Sequence, residues 1–214
     1  MLMLRRARLM AGFFICGSAI KPITGDNCRQ FNARDSTMNH PVLIVPGIGN
    51  SGPAHWQSRW QAAHPEWQRL QVADWDHVQC EDWVAALDSQ LAMLGSDTLL
   101  VAHSLGCLTV AHWGALHMLP VRGALLVAVP DPTAPAFPAA SARGFSPLPS
   151  TRLPFPSVVV ASSNDPYGSA SHAATCAAAW GSELVDAGPH GHLNADSALG
   201  DWEQGYRLLE KLAR

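Results

Sequence analysis

Charged residues make up only 14% of the 214-residue sequence, and 14 Lys and Arg face 17 Asp and Glu, a formal net charge of −3. Without a basic excess there is no field to gather phosphates, so nucleic acid is not an expected partner. The five cysteines (Cys16, Cys28, Cys80, Cys107 and Cys176) are odd in number and form no C-x-x-C pair. That pattern suggests neither a disulfide framework nor a zinc finger, and it fits a reducing compartment such as the cytoplasm. The N-terminal apolar run LMAGFFICGSAI, residues 9–20, falls short of the roughly 20 residues that span a bilayer, so no membrane partner is expected. Neither an internal repeat nor an interdomain linker is found.

What is present suits a single domain with a real core. Hydrophobic residues reach 48%, with 17 Gly and 16 Pro, too apolar for a disordered chain and too punctuated for a long coiled coil. Residues 1–38 carry six basic side chains against two acidic ones, and the remainder eight against fifteen. The tail therefore differs in kind from the body. Its basic stretch, short apolar run and small residues Gly17 and Ala19 fit a secretory signal. The favoured reading is a start at Met38, with the tail an upstream extension. The expected organisation is an extension over 1–38 and one domain over 39–214, cytoplasmic unless residues 1–19 act as a signal to the periplasm or exterior.

From residue 39 short apolar runs recur: VLIV (42–45), LQVAD (70–74), TLLVAH (98–103), GALLVAV (123–129), SVVVASS (157–163) and ELVDAG (183–188). Several are apolar on both faces, the mark of buried parallel strands. Helical spacing separates them, with Trp56 and Trp60 four apart and Trp83, Leu87, Leu91 and Leu94 at threes and fours. Further helices are predicted over about 105–118, 169–180 and 198–213. Strands alternating with helices predict a doubly wound, mostly parallel sheet with chemistry at the carboxyl ends of its strands. Residues 130–156 hold eight of the 16 prolines, so they are neither regular helix nor central strand. Such a loop is either a stiff connection or a pocket wall.

The chemistry starts at Ala102-His103-Ser104-Leu105-Gly106, after a strand and at the start of a helix. This is the order of a nucleophile elbow, with Ala102 where the general pattern has glycine. A serine nucleophile needs a base and an acid to orient it, in the chain order Ser, Asp or Glu, His. Asp165 follows SVVVASS, and His190 and His192 follow ELVDAG. Asp131, also just past a strand, is the second candidate acid, and spacing alone does not separate His192 from His190. His103 reads as packed or hydrogen-bonded beneath the turn. Oxyanion donors are expected from the Leu105 N–H and from the loop Pro46–Gly52, where Ile48 N–H is the candidate. That loop is no phosphate cradle, because it lacks a Lys followed by Ser or Thr. His55 adjoins it and is a candidate to face the site. The tryptophans and Cys107 read as core. No metal or organic cofactor is expected, since His190-x-His192 lacks a third ligand nearby and His112 and His117 are off one helix face.

Together VLIVPGIGNSGPAHWQSRWQ, VAHSLGC, the PLPS and LPFPS stretches, SSNDPYGS and GHLNADSALGDW resemble the small serine hydrolases of the retinoblastoma-binding serine hydrolase family, over about residues 40–212. The resemblance implies a single-domain three-layer α/β/α hydrolase fold without a separate cap domain. It also implies Ser104 as nucleophile, Asp165 as acid and His192 as base, the choice over His190 coming from the likeness alone. Ala-His-Ser-Leu-Gly is that family's own elbow. The function expected is an esterase-like serine hydrolase cleaving small ester or amide substrates through an acyl-enzyme. The alternatives are a protein-binding module on a hydrolase scaffold, or an acyltransferase. A protein partner is allowed for but not indicated.

Overall fold

A computed structural model describes residues 38–117 and 119–214. The extension expected over 1–38 lies, Met38 apart, outside the described residues, as do Cys16 and Cys28.

Five of the six apolar runs, together with Gln68–Arg69, form a six-stranded sheet whose pairings are all parallel. In chain order its strands are β1 (Val42–Val45), β2 (Gln68–Arg69), β4 (Leu99–His103), β5 (Gly123–Val127), β7 (Ser157–Ala161) and β8 (Glu183–Asp186). Two short strands, β3 (Val78–Gln79) and β6 (Ala142–Arg143), pair separately. The helices are α1 (Trp56–Ala63), α2 (Cys80–Leu94), α3 (Leu105–Leu116), α4 (Ala170–Trp180) and α5 (Glu203–Leu212). Ser169 caps α4 by accepting the His172 N–H, and Gly181 ends it in the left-handed region, satisfying groups the helix leaves open at both ends.

Because side chains alternate across a strand, the sheet feeds two cores. Leu43, Val45, Leu100, Ala102, Leu126 and Val159 pack against α2, α3 and α4. Val42, Ile44, Val101, Leu125 and Val160 face the other way, toward Trp56 and Trp60 of α1 and Tyr206 and Leu209 of α5. Both faces of β1, β4, β5 and β7 are covered, which is why these strands read as unbroken apolar runs. This is the three-layer α/β/α hydrolase architecture expected, and among the described residues no separate cap domain sits over it. Trp56, Trp60, Trp67 and Trp83 are all core.

One strand departs from expectation. LQVAD does not form β2; the paired residues are Gln68 and Arg69, matched to Leu43 and Ile44. The Leu70 N–H makes a last bond to Ile44 O at 2.8 Å, and the Gln90 side chain then takes the Gln71 N–H at 2.7 Å. The chain therefore leaves the sheet where its apolar run begins.

The sheet order β2-β1-β4-β5-β7-β8 reverses direction between β1 and β4. The loops leaving these two strands diverge and open a crevice at their carboxyl ends. The Gly-rich loop Pro46–Gly52 and the Ser104 turn both emerge there.

Candidate active site

Ser104 sits between β4 and α3 with φ 53° and ψ −124°, a conformation an L-residue holds only when its surroundings dictate it. They do so here by close approach. A Cβ on Gly106 would fall 2.2 Å from Val45 O and 2.6 Å from Pro46 O, so α3 can begin against β1 only if residue 106 lacks a side chain. The Ser104 N–H is bonded to Val127 O at 2.9 Å, which holds the turn to β5.

Asp165 lies in the loop after β7 and His192 in the turn after β8. His192 Nδ1 stands 2.9 Å from both Asp165 carboxylate oxygens, and His192 Nε2 2.8 Å from Ser104 Oγ. A carboxylate only accepts, so Nδ1 carries the proton and Nε2 accepts from the serine hydroxyl. The Asp165 side chain is 1% exposed and also accepts the Tyr167 N–H at 2.9 Å. The three residues thus form one continuous chain of hydrogen bonds.

The other candidates go elsewhere. Asp131 accepts from the Thr133 N–H and hydroxyl at 2.8 and 2.7 Å, and its nearest base is His172, at 3.7 Å. His190 gives its main-chain N–H to Ser162 Oγ at 3.0 Å. Cys107 is buried against Val127 O, and burial pushes its thiol well above the usual range.

A cavity of about 440 Å³ opens over Ser104. Ile48, Leu105, Pro130, Phe137 and Pro138 supply apolar wall, while Asn50, His55, His103, Tyr167 and Asn194 supply polar groups. The proline-rich stretch is therefore a pocket wall as well as a connection. Its position is fixed by β6, which pairs Ala142 and Arg143 with Val78 and Gln79. Both expected oxyanion donors, Ile48 and Leu105, line this cavity, and neither N–H is bonded among the described residues.

His55 faces the same cavity. It caps α1, its Nδ1 accepting the Gln57 N–H at 3.2 Å. Burial first, then the charges of Arg69 and His192, pull its pKa down to about 4. His103 is hydrogen-bonded, one of the two readings expected: it lines the cavity and gives its Nε2–H to His192 O at 2.9 Å. Tyr167 sets its ring edge-on to His192 at 4.6 Å. The Tyr167 placement had no sequence signal beyond its adjacency to Asp165 in N-D-P-Y.

Comparison with known proteins bears on the family and the fold. A family model for serine hydrolases matches residues 42–211. A protein from Pectobacterium atrosepticum described as a YdeN-like hydrolase is 31% identical, with 84% of this chain and 95% of that one covered and a TM-score of 0.74. The ydeN gene product of Bacillus subtilis is 22% identical over 81% of this chain and 98% of its own, at TM-score 0.61. A thermophilic esterase from Thermogutta terrifontis is 17% identical over 82% and 91%, at TM-score 0.58. These last two bear on the fold alone. A search of the curated proteins finds no match.

Proposed function

The chain belongs to the serine hydrolase family, and from that membership we propose that it is an esterase-like hydrolase of small ester or amide substrates with Ser104 as its nucleophile. The observation that carries this reading is the unbroken hydrogen-bond chain Ser104–His192–Asp165 at the floor of a cavity. A serine nucleophile activated by histidine needs those groups within hydrogen-bond reach of one another.

In the reaction, His192 Nε2 takes the Ser104 proton as Oγ attacks the substrate carbonyl carbon. The carbonyl π electrons move onto oxygen, and the N–H groups of Leu105 and Ile48 stabilise that oxyanion. Asp165 holds the His192 tautomer and stabilises the imidazolium. Collapse of the tetrahedral intermediate expels the alcohol or amine, which leaves with the proton from His192. Water, deprotonated by His192, then attacks the acyl-enzyme; collapse releases the acid, and His192 returns the proton to Ser104 Oγ.

Among the residues lining the cavity there is no Lys, Arg, Asp or Glu, which favours uncharged acyl groups, since burying an unpaired charge is costly. A binding module on the same scaffold would need only the shell, and the complete set of hydrogen-bonded groups favours chemistry. The finer placement in the retinoblastoma-binding branch rests on the motifs VAHSLGC, SSNDPYGS and GHLNADS. A cytoplasmic location rests on the free, buried Cys80, Cys107 and Cys176. Among the described residues no helix is long and apolar enough to cross a membrane.

Intact-mass measurement after incubation with a fluorophosphonate tests the reading, with Ser104→Ala in parallel. One adduct on the parent and none on the variant is the expected result. No adduct on folded parent protein would overturn the mechanism.

A further inference from the structure

His192 is held by its main chain as well as by its ring. Residues 190–193 form no helix or strand, so their polar main-chain groups must find partners elsewhere. Five of them are taken by side chains, one being His190 O, which accepts from Ser197 Oγ at 2.5 Å. The His190 N–H donates to Ser162 Oγ at 3.0 Å and the Gly191 N–H to Asn164 Oδ1 at 2.7 Å. His192 O accepts from His103 Nε2 at 2.9 Å, and Leu193 O from Trp56 Nε1 at 2.8 Å.

These five tethers differ in what they join, and that of Ser197 stays within the segment that follows β8. Ser162 and Asn164 lie just before Asp165, so they tie the base to its acid. Trp56 ties the turn to the start of α1. His103 is the residue bonded covalently to Ser104, so it joins the base to the nucleophile's own strand. The peptide bond 103–104, the bond from His103 to His192 O, the His192 side chain and its bond to Ser104 Oγ close a ring. Within such a ring, the separation of Oγ and Nε2 follows from where residue 103 sets the His192 backbone.

The chemistry of the donor fits that task. A carbonyl oxygen only accepts, so His103 must carry its proton on Nε2. The side chain is buried, with residue exposure of 4%, and two imidazoles flank it: His55 at 4.6 Å, nearly perpendicular, and His192 at 5.0 Å. Burial, with His55 and His192 adding to it, keeps the imidazole well below its ordinary range. His103 is therefore a buried, neutral donor to His192 O.

We propose that His103 is a positioning residue for the hydrolytic reaction, holding the His192 main chain so that Nε2 stays in line with Ser104 Oγ. The proposal rests on the reading of Ser104 and His192 as nucleophile and base. Displacement of a reacting group by about 1 Å can slow an enzyme about 100-fold, and loss of this tether frees the turn on the side nearest Ser104.

The test compares His103→Gln, His103→Asn and His103→Leu with the parent on a neutral p-nitrophenyl ester. Glutamine places an amide N–H at about the reach of imidazole Nε2; asparagine falls one bond short; leucine has no donor. Expected for Leu and Asn is a kcat about 100-fold lower, with KM within about threefold and fluorophosphonate labelling of Ser104 slowed in proportion. Glutamine should recover kcat to within about tenfold. If leucine fails to fold, the asparagine and glutamine pair decides. Parent-like kcat in Asn or Leu, or equal losses in Gln and Asn, would overturn the proposal. A parent that neither labels nor turns over ester would overturn the hydrolase reading, and this proposal with it.

Discussion

Gly47 and Ser104 stand so close that a Cβ on Gly47 would fall 2.9 Å from Ser104 Cβ and 3.4 Å from Ser104 Oγ. The loop after β1 therefore presses its backbone onto the serine, and this contact sets where Ile48 presents its N–H. Gly47→Ala should push the two apart while leaving the sheets intact. We expect kcat/KM to fall about 10- to 100-fold with little change in thermal midpoint, checked by steady-state kinetics alongside a melt.

Gly106→Ala is expected to fail differently. Its Cβ would meet main chain, Val45 O at 2.2 Å and Pro46 O at 2.6 Å, and backbone has no rotamer with which to yield. Overpacking of this kind costs about 1–3 kcal/mol or more. Urea unfolding should show a lower midpoint with an unchanged slope, and activity should fall with it.

Asp165→Asn keeps the shape of the side chain and removes the charge that fixes the His192 tautomer. An amide can present its NH2 to Nδ1, which would put the histidine proton on Nε2, where it cannot accept from Ser104. The expected loss in kcat is about 10³- to 10⁴-fold, measured with a neutral ester and with the protein shown to be folded by circular dichroism. A variant that retains a tenth of parental activity would remove Asp165 from the mechanism.

Stability should fall as pH drops through the range between 6.5 and 4. His55 is 4% exposed, and its pKa is lowered from 6.5 to about 4; His103 shifts in the same direction. Below pH 6.5 the unfolded chain binds protons that the native state refuses, so the unfolded state gains with each step downward. His55 alone accounts for about 3 kcal/mol across that window. Urea titrations at pH 7, 5.5 and 4.5 should show the decline. His55→Asn, which keeps an N-cap acceptor, should make it shallower.

The cavity should discriminate against charge. A p-nitrophenyl butyrate and the corresponding succinate monoester are close in size but differ by one carboxylate, and no lining cation is present to pair with it. We expect kcat/KM at least about tenfold higher for butyrate, reflecting the cost of desolvating an unpaired ion.

Much of this was legible in the sequence because it is local. Runs such as VLIV and SVVVA are apolar on both faces, and only a sheet covered on both sides accommodates that. Ser104 after TLLVA, Asp165 after SVVVASS and His192 after ELVDAG each stand just past a strand, in the order a hydrolase site uses. The strand at LQVAD failed as an expectation because apolar character shows burial, not pairing. Leu70 is buried, yet its neighbours Gln68 and Arg69 carry the sheet register.

What the tertiary structure decided lies in contacts between distant parts of the chain. The two hydrogen bonds of His192, to Ser104 and Asp165, join residues 88 and 27 positions apart, and no local pattern separates His192 from His190 two residues away. Asp131 sits past a strand as Asp165 does, but β5 delivers it to His172 and Thr133. The proline-rich stretch could have been connection or wall, and its pairing through β6 with β3 made it both. His103 read as packed or hydrogen-bonded beneath the turn, and its partner, His192 O, was set by the path of the turn that carries His192. In each case local chemistry fixed what the residue could do, and the path of the chain fixed which partner it met.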